Sequence, residues 1–196
     1  MKKSLICLVA ATTLLGGCSQ QIQYGDAQSV ETTTIAFGST DLQKMAMEMT
    51  DSLLSSPAIG ELTAGKRPII FVESINNKTS EHIDTESVTD SISTRLLSSG
   101  KFRFVDMERV EAVRKQLDFQ NNDQLVNKST AIQFGRMVGA EYMLYGNLSS
   151  IVKENGDNQD VYYKLTMRLM DLETGIIEWA DETEIRKTAS RQIFGL

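Results

Sequence analysis

Arg67-Pro68-Ile69-Ile70-Phe71-Val72-Glu73-Ser74-Ile75-Asn76-Asn77-Lys78 is the stretch whose reading decides the fold. Its first half is an unbroken apolar run rich in β-branched residues, the pattern of a buried central strand. Its second half is polar and turn-prone, which predicts that the strand ends at Glu73 and that Asn76, Asn77 and Lys78 stand on a loop at its tip. Side chains presented on a rigid strand order at little cost when a partner binds, so these three residues are the expected partner contacts.

Downstream of this strand, Asp84 or Thr85 caps a helix with Val88, Ile92 and Leu96 on one face, and Gly100 stands where a left-handed residue closes it. Phe102-Arg103-Phe104-Val105 reads as a second strand. Asp106 then caps a helix marked by Val110, Val113 and Leu117. A polar loop over 118–127 leads to a further helix, begun by Ser129, with Ala131, Ile132, Gly135 and Val138 inward and Gly139 as its stop. Three β-rich segments follow, 142–151, 161–171 and 176–185, separated by the turn signals Asn155-Gly156 and Thr174-Gly175. They predict an antiparallel meander. The expected fold is therefore α/β (α+β): one small domain over 40–196, with a mixed sheet of four to five strands, an antiparallel C-terminal meander and about four covering helices.

Upstream, Leu42, Met45, Ala46, Met49 and Leu53 recur at helical spacing behind a cap at Ser39 or Thr40. The methionines read as core packing. Ser55-Ser56-Pro57 ends this helix, and a loop through Gly60 and Gly65 leads to the central strand. Residues 18–39, with four glutamines and a threonine triplet, read as a flexible tether. Met1-Lys2-Lys3, an apolar run of about eleven residues and Gly16-Gly17 make a secretory signal over 1–17, too short for a spanning helix of about 20 residues. Leu15-Gly16-Gly17-Cys18 resembles the lipobox of bacterial lipoproteins, which implies cleavage before Cys18 and acylation of its thiol. Ser19, standing where aspartate would retain a lipoprotein at the inner membrane, points to the outer membrane, facing the periplasm.

The 196 residues carry 20 basic and 26 acidic side chains, a net charge of −6 that becomes −8 once residues 1–17 are removed. That balance argues against a nucleic-acid partner. The two cysteines, Cys7 and Cys18, both precede the domain, which excludes disulfide or thiol chemistry within it. His82 is the lone histidine and reads as a solvated loop residue; no nucleophile motif, phosphate-binding loop or metal-ligand spacing accompanies it. Asp181, Glu182 and Glu184 alternate with apolar residues, as on a solvated sheet face rather than in a glycosidase pair. No enzyme activity, small-molecule substrate, cofactor or metal is expected. Trp179, Tyr142 and Tyr145 are strand aromatics, and Tyr145 is the second expected contact position.

Six blocks together resemble the LpoB lipoproteins, outer-membrane activators of a class A penicillin-binding protein. They are Val72-Glu73-Ser74-Ile75-Asn76-Asn77-Lys78-Thr79, Gly100-Lys101-Phe102, Lys115-Gln116-Leu117, Lys128-Ser129-Thr130-Ala131-Ile132, Val138-Gly139-Ala140-Glu141-Tyr142-Met143-Leu144-Tyr145 and Thr174-Gly175-Ile176-Ile177-Glu178-Trp179. The resemblance implies a non-enzymatic lipoprotein that binds the docking domain of the bifunctional synthase and stimulates glycosyltransferase and transpeptidase action in peptidoglycan synthesis. The chain departs from the best-known members in lacking a long Pro-rich linker, having only Pro57 and Pro68. The alternative is a secretion or assembly lipoprotein related to the curli export pore, whose relatives share the Thr-Gly-x-Ile-x-Trp ending.

Overall fold

The computed structural model describes residues 25–31, 33–105 and 139–190. Helix α1 spans Ser39–Ser55 and α2 Pro57–Leu62, followed by strands β1 (Ile69–Val72) and β2 (Asn76–Asn77). Helix α3 (Thr85–Ser98) leads to β3 (Arg103–Phe104), and the chain ends in β4 (Tyr142–Asn155), β5 (Asn158–Asp171) and β6 (Ile177–Ser190). The strands form one mixed sheet in the order β3-β1-β4-β5-β6, with β2 also beside β4. β1 runs parallel to β3 and β4, while β4, β5 and β6 form the expected antiparallel meander. Its turns fall where glycine permits a positive φ, 53° at Gly156 and 72° at Gly175.

The apolar run of β1 is buried because β1 lies between β3 and β4, with Ile70 and Phe71 both fully inaccessible. On one face of the sheet, Ile70, Val72, Leu144, Leu148, Tyr163, Leu165, Leu169 and Trp179 meet Met45, Met49 and Leu53 of α1 and Val88, Ile92 and Leu96 of α3. These are the helix stripes that the 3.6-residue spacing marks, and burial of each such side chain contributes about 1.5–3 kcal/mol. A smaller cluster on the opposite face gathers Phe71, Ala140, Met143 and Leu172, with Tyr145 and Met170 packed against it. The Asp84 carboxylate caps α3, accepting from the backbone N–H groups of Glu86 and Ser87, and Gly100 closes it at φ 71°.

Several elements differ from the sequence reading. The N-cap of α1 is Gly38, not Ser39 or Thr40. The Asp41 carboxylate reaches back to the Gly38 N–H at 2.9 Å and satisfies an otherwise free donor. Pro57 starts a second helix as well as stopping the first, since its fixed φ and missing N–H suit a first helical position. Asn76 and Asn77 are not a turn but a strand, the sixth of the sheet. Between Val72 opposite Leu144 and Asn76 opposite Asn147, the chain carries one residue more than β4 does. That extra residue acts as a bulge, turning Ile75 into the core at 2% exposure and Asn76 out to solvent. The meander strands each reach 14 residues, longer than expected. Three helices occur among the described residues, and the two expected between Asp106 and Gly139 lie outside them.

Residues 25–38 carry more contact than a flexible tether over 18–39 implies. The Glu31 N–H donates to Thr40 at 2.8 Å, and Gln43 donates to the Ala27 carbonyl at 3.0 Å. Phe37 meets the Tyr163 ring edge-on at 5.4 Å, and its N–H donates to Glu81. Lys187 donates to the Ala36 carbonyl and to buried Asp41, at 2.7 and 2.8 Å. The Tyr163 hydroxyl also donates to Glu81, so one carboxylate joins the N-terminal segment, the loop after β2 and the sheet. Burial first, and then this hydrogen bond, push the Tyr163 phenol well above its ordinary range. Tyr163→Phe is expected to lower stability by about 1.5–3 kcal/mol, the range for a hydrogen bond to a charged group. Thermal unfolding would measure it, and faster amide exchange at Phe37 would locate the loosened segment.

Candidate functional site

The described helices all pack against one face of the sheet, and no described helix covers the other face of β4–β6 beyond the small second cluster. Register fixes what that open face presents. Tyr145 lies opposite Arg168, Asn147 opposite Thr166, Ser149 opposite Lys164 and Ile151 opposite Tyr162; on the far side Lys164 faces Glu184 and Tyr162 faces Arg186. Alternation along β5 is the cause: Val161, Tyr163, Leu165 and Met167 go to the core, and Tyr162, Lys164, Thr166 and Arg168 go outward. Ser149, Ile151, Asp160, Tyr162, Lys164 and Arg186 line a depression of about 440 Å³ on this face.

Charge on the face is organised in cross-strand pairs. The Arg186 guanidinium forks onto Asp160, with Nε at 3.0 and 3.2 Å from its two oxygens. Lys164 lies 3.2 Å from Glu182, and the Tyr162 hydroxyl donates to Glu184. The Arg186 hydrogen bond holds the Asp160 carboxyl below its usual range. The hydrogen bond to Glu184, helped by partial desolvation and the carboxylate charge, pushes the Tyr162 phenol up to about 12. Tyrosine thus stays a neutral donor and Asp160 an anion through neutral pH. An aromatic ring, exposed Ile151 and alternating charges on one sheet face suit recognition of a protein surface.

The sequence-marked residues are divided by this geometry. Asn76 is exposed and lies opposite Asn147, and half-buried Tyr145 stands two residues before Asn147, so these two border the open face. Asn77 does not join them. Its amide nitrogen donates to the Glu81 carbonyl at 2.9 Å and its oxygen accepts from the Thr79 N–H and hydroxyl, so the side chain builds the following loop. Lys78 is exposed, and its backbone N–H donates to the Leu148 carbonyl at 2.7 Å. Cys18 lies outside the described residues. Trp179 and Tyr142 are core residues at 8% and 6% exposure, and His82 is exposed. Glu182 and Glu184 stand on the solvated face as read from their spacing, whereas Asp181 accepts a hydrogen bond from Ser52 of α1. Tyr162, Lys164, Asp160 and Arg186, which the sequence reading does not single out, share this face; their signal is the period-2 alternation of β5, which becomes a surface only once β6 is set beside it. Among the described residues, no three His, Cys, Asp or Glu side chains gather as a metal site, and no helix is long and apolar enough to cross a membrane.

Comparison with known proteins connects this architecture to a family. The penicillin-binding protein activator LpoB of Salmonella typhimurium is 30% identical over 126 residues, covering 64% of this chain and 55% of that protein. Its counterpart in Escherichia coli K12 is 32% identical over 119 residues, covering 61% and 51%. The matches thus span little more than half the length of these two curated relatives. Among solved structures, the LpoB C-terminal domain from Salmonella enterica aligns with a TM-score of 0.57 at 26% identity, covering 74% of this chain and 98% of that domain. The family model described as peptidoglycan-synthase activator LpoB matches residues 41–185, from the first turn of α1 almost to the end of β6. The chain belongs to the LpoB family of peptidoglycan-synthase activators.

Proposed function

We propose that this protein is an outer-membrane lipoprotein, anchored through Cys18 and facing the periplasm, that binds the docking domain of a bifunctional class A penicillin-binding protein. Binding raises glycosyltransferase and transpeptidase output, and the protein itself performs no catalysis. The family match over 41–185 carries this reading, because it takes in every helix and nearly every strand residue described. Activation requires only that the domain bind an active state of the synthase more tightly than an inactive one. The open face of β4–β6, bordered by Asn76 and Tyr145 with Lys78 nearby in sequence, is the surface assigned to docking. The export-pore alternative is not favoured, since the three long strands bury one face beneath α1 and α3 and are committed to the core.

Contacts of Ala27 and Glu31 with α1 leave at most Ser19 to Asp26 as tether, which can span about 26 Å at roughly 3.3 Å per residue when fully stretched. The synthase's docking domain must then lie within the combined reach of that tether and the domain. The decisive test mixes the full-length protein, in detergent, with the synthase and lipid-linked substrate; unchanged glycan polymerisation would overturn the proposal. In the same assay, Tyr162→Ala with Arg186→Ala is expected to weaken binding roughly thirtyfold, the loss typical of aromatic and arginine anchors worth about 2 kcal/mol. Folding should change by only about 0.5 kcal/mol, as for most surface substitutions. Parental affinity in that variant would move the docking site off this face.

A further inference from the structure

A second depression, of about 590 Å³, lies at the other end of the domain and is lined by Thr63, Gly65, Lys66, Arg67 and Arg103. Three cations line one hollow in a chain whose acidic side chains outnumber its basic ones by 26 to 20. Lys66 lies 2.8 Å from Glu141, whose carboxylate also feels the charge of Arg103, while among the described residues neither Arg67 nor Arg103 closes an ion pair within 4.0 Å. The two arginines are nevertheless held in place. Arg67 donates through Nη2 to the Phe102 carbonyl at 2.9 Å, and Arg103 donates through Nε to the Arg67 carbonyl at 3.1 Å. The parallel pairing of β1 with β3, which sets Ile69 opposite Arg103, brings them together. Each guanidinium uses one donor on the main chain and keeps a fork of N–H groups for a planar anion.

We propose that this depression binds the free carboxylates of cell-wall peptides, an activity separate from docking to the synthase but resting on the periplasmic location proposed above. Two pre-set guanidiniums suit bidentate carboxylate recognition. Their exposure makes any single contact weak and salt-sensitive, which fits a polymer that offers many carboxylates close to a tethered protein. Position also favours the wall over the anchoring membrane. The tether joins at the N-terminal end of α1, where Glu31 meets Thr40. At the other end of α1, Lys101 next to Phe102 donates to the Leu54 carbonyl, so the depression lies about one helix length, roughly 25 Å, from the tether junction.

The test sediments the detergent-purified full chain with isolated peptidoglycan, with peptidoglycan whose carboxylates have been amidated, and with anionic phospholipid vesicles. Co-sedimentation with native wall is expected to fall roughly tenfold in Arg67→Gln with Arg103→Gln, as for loss of a strong charge-assisted contact, and to fall similarly on amidation or when salt rises from about 0.05 to 0.3 M. The same variant, folded by circular dichroism, should still stimulate the synthase in solution. Equal binding to native and amidated wall, or by parent and variant, overturns the proposal, as does binding to vesicles in preference to wall. Loss of synthase stimulation together with wall binding also overturns it, since the depression would then belong to the synthase-docking surface. Failure of the parent to stimulate the synthase while wall binding persists would instead count against the activator reading alone.

Discussion

Gly146→Ala is expected to destabilise the domain by about 3 kcal/mol, the upper end of what one inserted methyl group costs in a packed interior. Gly146 sits in the middle of β4 on the core side of the sheet, opposite Met167. A Cβ built there would lie 2.5 Å from the Thr166 carbonyl oxygen and 2.9 Å from Met167 Cγ. Methionine could swing aside, but the carbonyl belongs to the neighbouring strand and cannot move without disturbing the β4–β5 ladder. For a chain of this size, the melting temperature should fall by roughly 6–12 °C. Gly60→Ala is the control, because it stands in α2 with open space around it and should if anything be stabilising, by about 0.4–1 kcal/mol. Equal melting of the two variants would show that the close approach at Gly146 is not a constraint.

Cys18→Ser is expected to leave the protein unacylated and absent from the outer membrane. Each methylene buried in lipid contributes about 0.8 kcal/mol, and more than one acyl chain holds a protein stably where a single chain does not. A serine hydroxyl cannot form the thioether, so processing at this position would fail and the acyl chains would be lost. Fractionation together with metabolic labelling by fatty acid measures both. Persistence of the label, or of outer-membrane residence, in the variant would remove Cys18 from the anchor. In a cell, stimulation of the synthase should fall with loss of the outer-membrane anchor, because tethering raises local concentration without adding contacts. In detergent solution the same variant should stimulate as the parent does, which separates anchoring from docking.

The local grammar of the chain was legible where neighbours in sequence are also neighbours in space. The α3 cap at Asp84, the Val88, Ile92 and Leu96 stripe and the Asn155-Gly156 and Thr174-Gly175 turns each depend on a few consecutive residues, and each stands in the fold as read. The family resemblance was legible for a different reason: its blocks lie along the chain and require no knowledge of contacts. The surface is not legible in the same way. Asn77, expected as a contact, has its side chain bonded within the Thr79 to Glu81 loop, while Tyr162 and Arg186 come together on one face of the sheet. Neither fact is local. The open face exists because β6 is laid beside β5 with Tyr162 opposite Arg186, and α1 covers only the other side.

By itself, then, the amino-acid sequence determined the α+β class, the order of most elements and the antiparallel meander, because hydrophobic period and turn residues are written within short windows. Tertiary structure alone decided which side of the meander is covered, that residues 35–38 dock on Tyr163 and Glu81, and that Arg67 and Arg103 share one hollow. The most instructive case is Ile75-Asn76. Reading the polar residues after Val72 as a turn was reasonable on composition, but pairing with β4 extends the sheet through Asn77. One extra residue between the two paired segments reverses which side chains face inward, since the side-chain period of a strand is two. Whether such a residue is absorbed as a turn or as a bulge depends on the partner strand, more than sixty residues away in the chain, and no local pattern records that choice.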